Sequence, residues 1–170
     1  LGVLNTYRAI IIAKPTIPFN NLDKFLIDQY IMQGGRVLWL IDGVSASMDS
    51  LINDLGSFIA HKNKLNIEDQ LLQYGVKIKS NLVEDLRSAK IPINTGYNNA
   101  NKSYFKWPYF PLLFSESKHP ISKGLDAIKC EFISSIDTIK NNIKKTILLH
   151  SSNKSRLSPA PTKVSLGILK

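Results

Sequence analysis

The sequence predicts an α/β fold: a parallel-sheet, three-layer core over residues 1–105, with a β-rich extension over residues 106–170 packed on it. The two can also be read as one continuous domain. Three observations point there. Two short apolar runs, Tyr7–Lys14 and Arg36–Asp42, have the nearly continuous texture of strands buried on both faces. A helical pattern lies between them, and a strand–helix–strand unit is expected to connect as a right-handed parallel crossover. From Lys106 onward helical periodicity disappears, leaving prolines, aromatics and short apolar runs.

Each element has its own local signal. Pro15 ends the first run, and Asn20 or Asn21 is placed to cap the helix that follows. Leu22, Phe25, Leu26 and Tyr30 recur at helical spacing, with Asp23, Lys24, Asp28 and Gln29 largely on the other side. Gly34-Gly35 supplies the C-terminal stop, because glycine adopts positive φ at little cost. The second run then ends in the polar turn Asp42-Gly43. Residues 47–60 read as a short helix or an irregular loop, and Glu68–Tyr74 before Gly75 as a short helix. Val76–Lys79 alternates apolar and basic residues, the pattern of a half-exposed strand. Ile91–Gly96 is expected at a sheet edge, since Pro92 cannot donate to a ladder, and Asn98–Lys102 reads as a loop. Lys129–Ile133 and Thr146–Leu149 read as short strands, and Ser155–Ser165, with Pro159 and Pro161, as extended chain.

Composition bounds the function. With 170 residues, 44% hydrophobic and 21% charged, the chain has globular values and enough length to bury a core. The longest stretch without a charged residue, Ile91 to Asn101, is polar and too short for a membrane helix. Cys130 alone excludes an internal disulfide and a cysteine-cluster metal site, and it reads as a buried small hydrophobe. The opening at Leu1 and the abrupt end suggest a piece of a longer protein. Net charge is +9, unevenly spread: residues 1–100 carry ten Lys and Arg against nine Asp and Glu, residues 101–170 twelve against four. Lys outnumbers Arg 18 to 4 and the lysines are dispersed, which argues against nucleic acid and for a basic face toward a membrane or partner.

Ligands of open parallel sheets bind beyond the carboxyl ends of the strands. Those ends present Lys14, Asp42 and Ser45, with Asp49 shortly after, a candidate crevice for a solute or glycan. The competing reading is that Asp42 and Ser45 cap turns while Lys14 extends to water. Gly43-Val-Ser-Ala-Ser47 is an incomplete nucleophile elbow, and no histidine lies close in sequence. His61, His119 and His150 show no metal-ligand spacing, and no phosphate-binding glycine loop occurs, so no cofactor or metal is expected. Trp107, Tyr109 and Phe110 form either a partner-binding surface or a seam of core where the extension meets the sheet. An edge such as that at Ile91 leaves self-association open.

Several segments carry a family resemblance: Ile11–Pro15, Ile27–Gly43 with its Gln33-Gly34-Gly35, Met48–Leu51, Leu82–Arg87, Trp107–Leu113, His119–Ile121 and Ser135–Ile139. Together they resemble the gliding-motility GldG family, within the broader auxiliary domain of uncharacterised ABC-type transport systems. The resemblance implies a flavodoxin/amidotransferase-like core, also similar to intraflagellar-transport-type α/β domains. It further implies a periplasmic domain of an inner-membrane protein, anchored through segments outside this chain, acting with the permease GldF and the ATPase GldA. Amidotransferase-like relatives place a nucleophile after the Gly-Gly helix and strand. Here Asp42-Gly43 stands in that region without a cysteine, so the expectation is a non-catalytic accessory subunit with no catalytic residues.

Overall fold

A computed structural model describes residues 2–52, 55–95, 101–115 and 118–169. A 3-10 turn at Leu4–Thr6 leads into β1 (Ala9–Ala13), α1 (Asn21–Met32) and β2 (Arg36–Leu40). β1 and β2 pair in parallel, with Ile11 opposite Leu38 and Ile12 opposite Trp39. The helix begins where its cap is: the Asn20 side chain accepts from the Asp23 N–H (2.8 Å), and Asp23 accepts from the Asn20 N–H (3.2 Å). It ends in a paired stop. The Gly34 N–H donates to Ile31 and the Gly35 N–H to Tyr30, with Gly34 at φ 90°. Gly35 is required for space as well, because a Cβ there would stand 2.3 Å from the Tyr30 ring.

The chain continues through β3 (Val44–Ser45), a 3-10 turn at Met48–Leu51, β4 (Ser57–Lys62), α2 (Glu68–Gln73), β5 (Val76–Ile78) and β6 (Asn81–Asp85). Then come β7 (Ser88–Thr95), β8 (Asn101–Leu113), β9 (Ile128–Lys129), β10 (Ile136–Thr138), β11 (Ser155–Pro159) and β12 (Thr162–Ser165). The sheets are small: β1-β2, β10-β5, β11-β6, β12-β4-β3 and β7-β8-β9.

This architecture overturns the expected parallel-sheet, flavodoxin/amidotransferase-like three-layer core. Among the described residues one strand pair is parallel, the others are antiparallel, and there are two α-helices. A parallel pair needs a crossover helix, and α1 supplies one. The six-residue α2 instead delivers β5 to an antiparallel partner, β10. Strands of residues 106–170 return to pair with β4, β5 and β6, so the two stretches of sequence interleave.

The first two strands are also not buried on both faces. Ile10, Ile12, Val37 and Trp39 point to a half-buried side, while Ile11, Leu38 and Leu40 on the other side are 67%, 51% and 48% exposed. An apolar run specifies that both sides tolerate burial, but covering them takes a helix layer on each. The helical face shifts likewise: Ile27 and Tyr30 are buried, whereas Leu22 and Phe25, expected inside, are largely exposed.

Local expectations fare better in the middle of the chain. β5 is half-exposed, and β7, with Pro92, is an edge strand paired among the described residues only with β8; Gly96 of that expected edge lies outside the described residues. Asn101 and Lys102 open β8 rather than belonging to a loop, and residues 98–100 of that expected loop lie outside the described residues. The strand expected at Lys129–Ile133 shrinks to β9, and Thr146–Leu149 is not a strand. Pro108 fits inside β8 because the ladder bulges there. Between Ser88↔Pro111 and Lys90↔Lys106, residues 107–110 stand against Ala89 alone.

That bulge turns Trp107, fully buried, together with Tyr109 and Phe110 into the main core. They meet Val44, Leu82, Phe132 and Val164 there. A smaller cluster of Leu65, Ile67 and Leu71 is joined by Phe19 and Trp39, whose rings meet edge-on at 6.2 Å.

Candidate functional site

The residues after β2 border a cleft, and the end of β1 meets them through Lys14. Lys14 leaves β1 with φ 45°, a left-handed turn, and its N–H donates to the Leu40 carbonyl at 2.8 Å. This brings the Lys14 ammonium 3.6 Å from Asp42 Oδ2, an ion pair whose lysine is largely in water and which contributes less than about 1 kcal/mol. Beside Asp42 opens a cavity of about 340 Å³ bordered by Lys62, Asn63, Glu68, Ile78 and Lys79, with Leu65, Ile67 and Leu71 as its apolar side. Gly43 allows the walls to meet, since a Cβ there would lie 2.4 Å from the Lys79 carbonyl. The Asn63 side chain donates to the Asp42 carbonyl (3.2 Å), and its N–H donates to the Gly43 carbonyl (3.1 Å).

The rim carries both signs of charge. Lys62 pairs with Glu68 at 3.1 Å, and Lys79 with Asp137 at 2.7 Å. Partial burial tends to raise the Glu68 carboxyl, but hydrogen bonds from backbone N–H groups and from Lys62, with the charge of Lys62, hold it below its usual range. An apolar wall under a rim of paired charges and amides suits a small polar ligand held by hydrogen bonds.

Of the four residues expected in the crevice, Lys14 and Asp42 come together, and Asp42 borders the cavity. Ser45 and Asp49 do not join them. Ser45 is exposed on β3, and Asp49 sits in the exposed 3-10 turn, its N–H donating to Ser47 Oγ at 3.2 Å. The structure does place a histidine across from Ser45, because the β3–β4 register sets it opposite His61. Both side chains are exposed, and among the described residues no hydrogen bond joins them. Sequence reading missed Lys62, Asn63, Glu68 and Lys79. The alternating lysines of Val76–Lys79 were a signal for one of them, and the rest depend on how β4 and α2 fold over the strand ends. Among the described residues no group of His, Cys, Asp and Glu is placed to hold a metal ion.

The aromatic trio is corrected more sharply. Trp107, Tyr109 and Phe110 are 0%, 3% and 3% exposed, so they build core and offer no surface to a partner. Their rings stack through Phe132, with Phe110 edge-on to it at 5.3 Å and Tyr109 tilted at 6.0 Å. Burial, and then the neighbouring Glu84 carboxylate, push the Tyr109 hydroxyl up to about 12. Glu84 is itself buried and accepts from Arg156 Nε at 2.8 Å and from the Ser158 hydroxyl. Ile11, Leu38 and Leu40 reach the surface together on the open side of β1-β2. No helix among the described residues is long and apolar enough to cross a membrane.

Among solved structures, the chain is similar to an mmIFT52 N-terminal domain at 16% identity and a TM-score of 0.57. The match covers 89% of this chain and 56% of that one, so the chain spans little more than half the length of that structure. At this identity the likeness concerns the fold alone. No curated protein matches the chain. A family model described as "ABC-type uncharacterized transport system", an auxiliary domain, matches residues 2–170, and the chain therefore belongs to that family.

Proposed function

We propose that this auxiliary component of an ABC-type transport system is a non-catalytic subunit that works by protein–protein contact. It faces the extracytoplasmic side of an inner membrane, in a gliding-motility system of the GldG type with a GldF-like permease and a GldA-like ATPase. One observation carries the contact reading: the open apolar side of β1-β2, where Ile11 stands beside Leu38 with Leu40 next to them. Adjacent exposed aliphatic side chains on a two-stranded sheet favour burial against a partner. The permease is the partner we assign to it.

Leu38→Asp and Leu40→Asp test this in the full-length protein purified from its native membrane. Both positions are about half exposed, so the folded state should survive. The unaltered protein should bring its permease with it, and each variant should lose it. A folded variant that still recovers stoichiometric permease would sink the assignment.

The cleft at Asp42 favours a second reading, a solute- or glycan-binding module. Its mixed rim and apolar wall are the features such a ligand uses. A calorimetric titration with cell-envelope sugars that gave no heat at millimolar concentration would remove it.

A further inference from the structure

The cleft at Asp42 is not the largest in the molecule. A cavity of about 770 Å³ lies between the β6–β7 turn, β8 and the loop before β11, and three basic side chains line it: Arg87, Lys106 and Lys154. We propose that it binds a phosphate-bearing anion, either a free organic phosphate or the headgroup of an anionic phospholipid.

Three cations and, among the described residues, no carboxylate line this cavity, whereas the cleft at Asp42 sets Asp42 and Glu68 beside its lysines. Lys14, Lys24, Lys62, Lys79, Lys129 and Arg156 are all in ion pairs. Among the described residues Arg87, Lys106 and Lys154 have no carboxylate partner. Like charges gathered in one concavity repel, and an anion between them removes that repulsion while receiving their donors. The Arg87 guanidinium lies 4.1 Å over the Phe114 ring, a cation–π contact that helps hold a side chain whose N–H fork suits an oxyanion.

The walls are also tied in place by a single buried group. Asp85, 1% exposed, accepts the Arg87 N–H at 2.8 Å, the Ser152 N–H at 2.7 Å and the Ser152 hydroxyl at 2.6 Å. Ser152 Oγ in turn accepts the Lys154 N–H at 3.1 Å, and the Lys154 carbonyl accepts the Leu86 N–H at 3.4 Å. The backbones of Arg87 and Lys154 are thus held side by side through one carboxylate, which lowers the ordering cost of binding. The volume leaves room for an organic body attached to the phosphate.

The test uses the full chain and two probes. Glycerol 3-phosphate is titrated calorimetrically, and vesicles of phosphatidylcholine with a minority of phosphatidylglycerol are used for sedimentation. Arg87→Gln and Lys154→Gln are the informative variants, because both side chains are exposed and neither is in the core. Lys123→Gln, an exposed lysine elsewhere, controls for the net charge of +9. Saturable binding of glycerol 3-phosphate, weakened roughly tenfold or more in both cleft variants and unchanged in the control, supports a free phosphate ligand. Vesicle binding lost in the same variants without binding of the free ester supports a lipid headgroup. No saturable binding of either probe, or equal weakening in Lys123→Gln, overturns the proposal.

Discussion

Replacing Asp85 by Asn removes one charge while keeping shape and volume, and it should cost far more than a surface change. Two hydrogen bonds converge on Oδ1, from the Arg87 N–H and the Ser152 hydroxyl, and one on Oδ2, from the Ser152 N–H. An asparagine has one acceptor oxygen and one NH2 group. If the oxygen takes the Oδ1 position, the NH2 faces the Ser152 N–H across 2.7 Å. If it is reversed, the NH2 faces the Arg87 N–H across 2.8 Å. Either way a backbone donor loses its partner, and the surviving bonds lose their charge assistance. Asp85 is 1% exposed, so water does not restore what is lost. One charge-assisted bond plus an unsatisfied buried donor amounts to about 2–4 kcal/mol. At roughly 2–4 °C per kcal/mol for a chain of this size, the midpoint should fall by roughly 4–16 °C. Ser152→Ala removes only a hydroxyl and should cost about 1 kcal/mol. Urea unfolding followed by tryptophan fluorescence reads both values. A loss below about 0.5 kcal/mol in Asp85→Asn would refute the reasoning, since it would mean that the three bonds are made to water as readily as to the carboxylate.

Three more predictions concern the core and the ionisable groups. Trp107→Ala empties the centre of the main cluster and should destabilise by about 3–5 kcal/mol, measured by thermal unfolding. A small change there would place the indole at the surface. Tyr74 and Tyr109 both hold their protons up to about 12, Tyr74 through burial and its hydrogen bond to Asp28. The folded state binds those protons more tightly, so this share of stability is complete below about pH 10 and is lost as pH rises toward about 12. A phenolate absorbance titration should show a late-titrating component that includes Tyr74 and Tyr109, and it should shrink by one tyrosine in Tyr109→Phe. The lowered Glu68 carboxyl has the opposite sign: its contribution is present above the usual carboxylate range and fades as pH falls through the lowered value. In Lys62→Met, carboxyl-detected NMR should show Glu68 titrating at higher pH, and an unmoved titration would remove Lys62 from the account.

What could be read without coordinates was what nearest neighbours along the chain decide. Asn20 with Asp23, and Gly34 with Gly35, mark the ends of α1 because caps satisfy groups within a few residues. Glu68–Tyr74 before Gly75 and the edge character of Pro92 follow from the same kind of rule. The fold class was not legible, because Ile10–Ile12 and Val37–Leu40 look alike whether one face is covered or two. The Lys14–Asp42 ion pair was legible: the two residues follow two paired strands, so their meeting was contained in the strand prediction. Ser45 and Asp49 left the crevice because the chain turns away at Gly43 to pair β3 with β4.

The aromatic segment shows the boundary most directly. Trp107-Pro-Tyr-Phe-Pro111 is equally readable as an exposed anchor or as core, and only a bulge in the β7–β8 ladder turns it inward. The sequence by itself determined helix ends, the edge strand, the charge imbalance and a family resemblance, because those depend on residue identity and short spacing. Tertiary structure alone decided that β11 lies on β6 and β12 on β4, and therefore that Arg156 pairs with Glu84. Such pairings join residues about as far apart as Glu84 and Arg156. Local energetics carry no information at that separation, and the choice falls to burial and long-range hydrogen bonding over the whole chain.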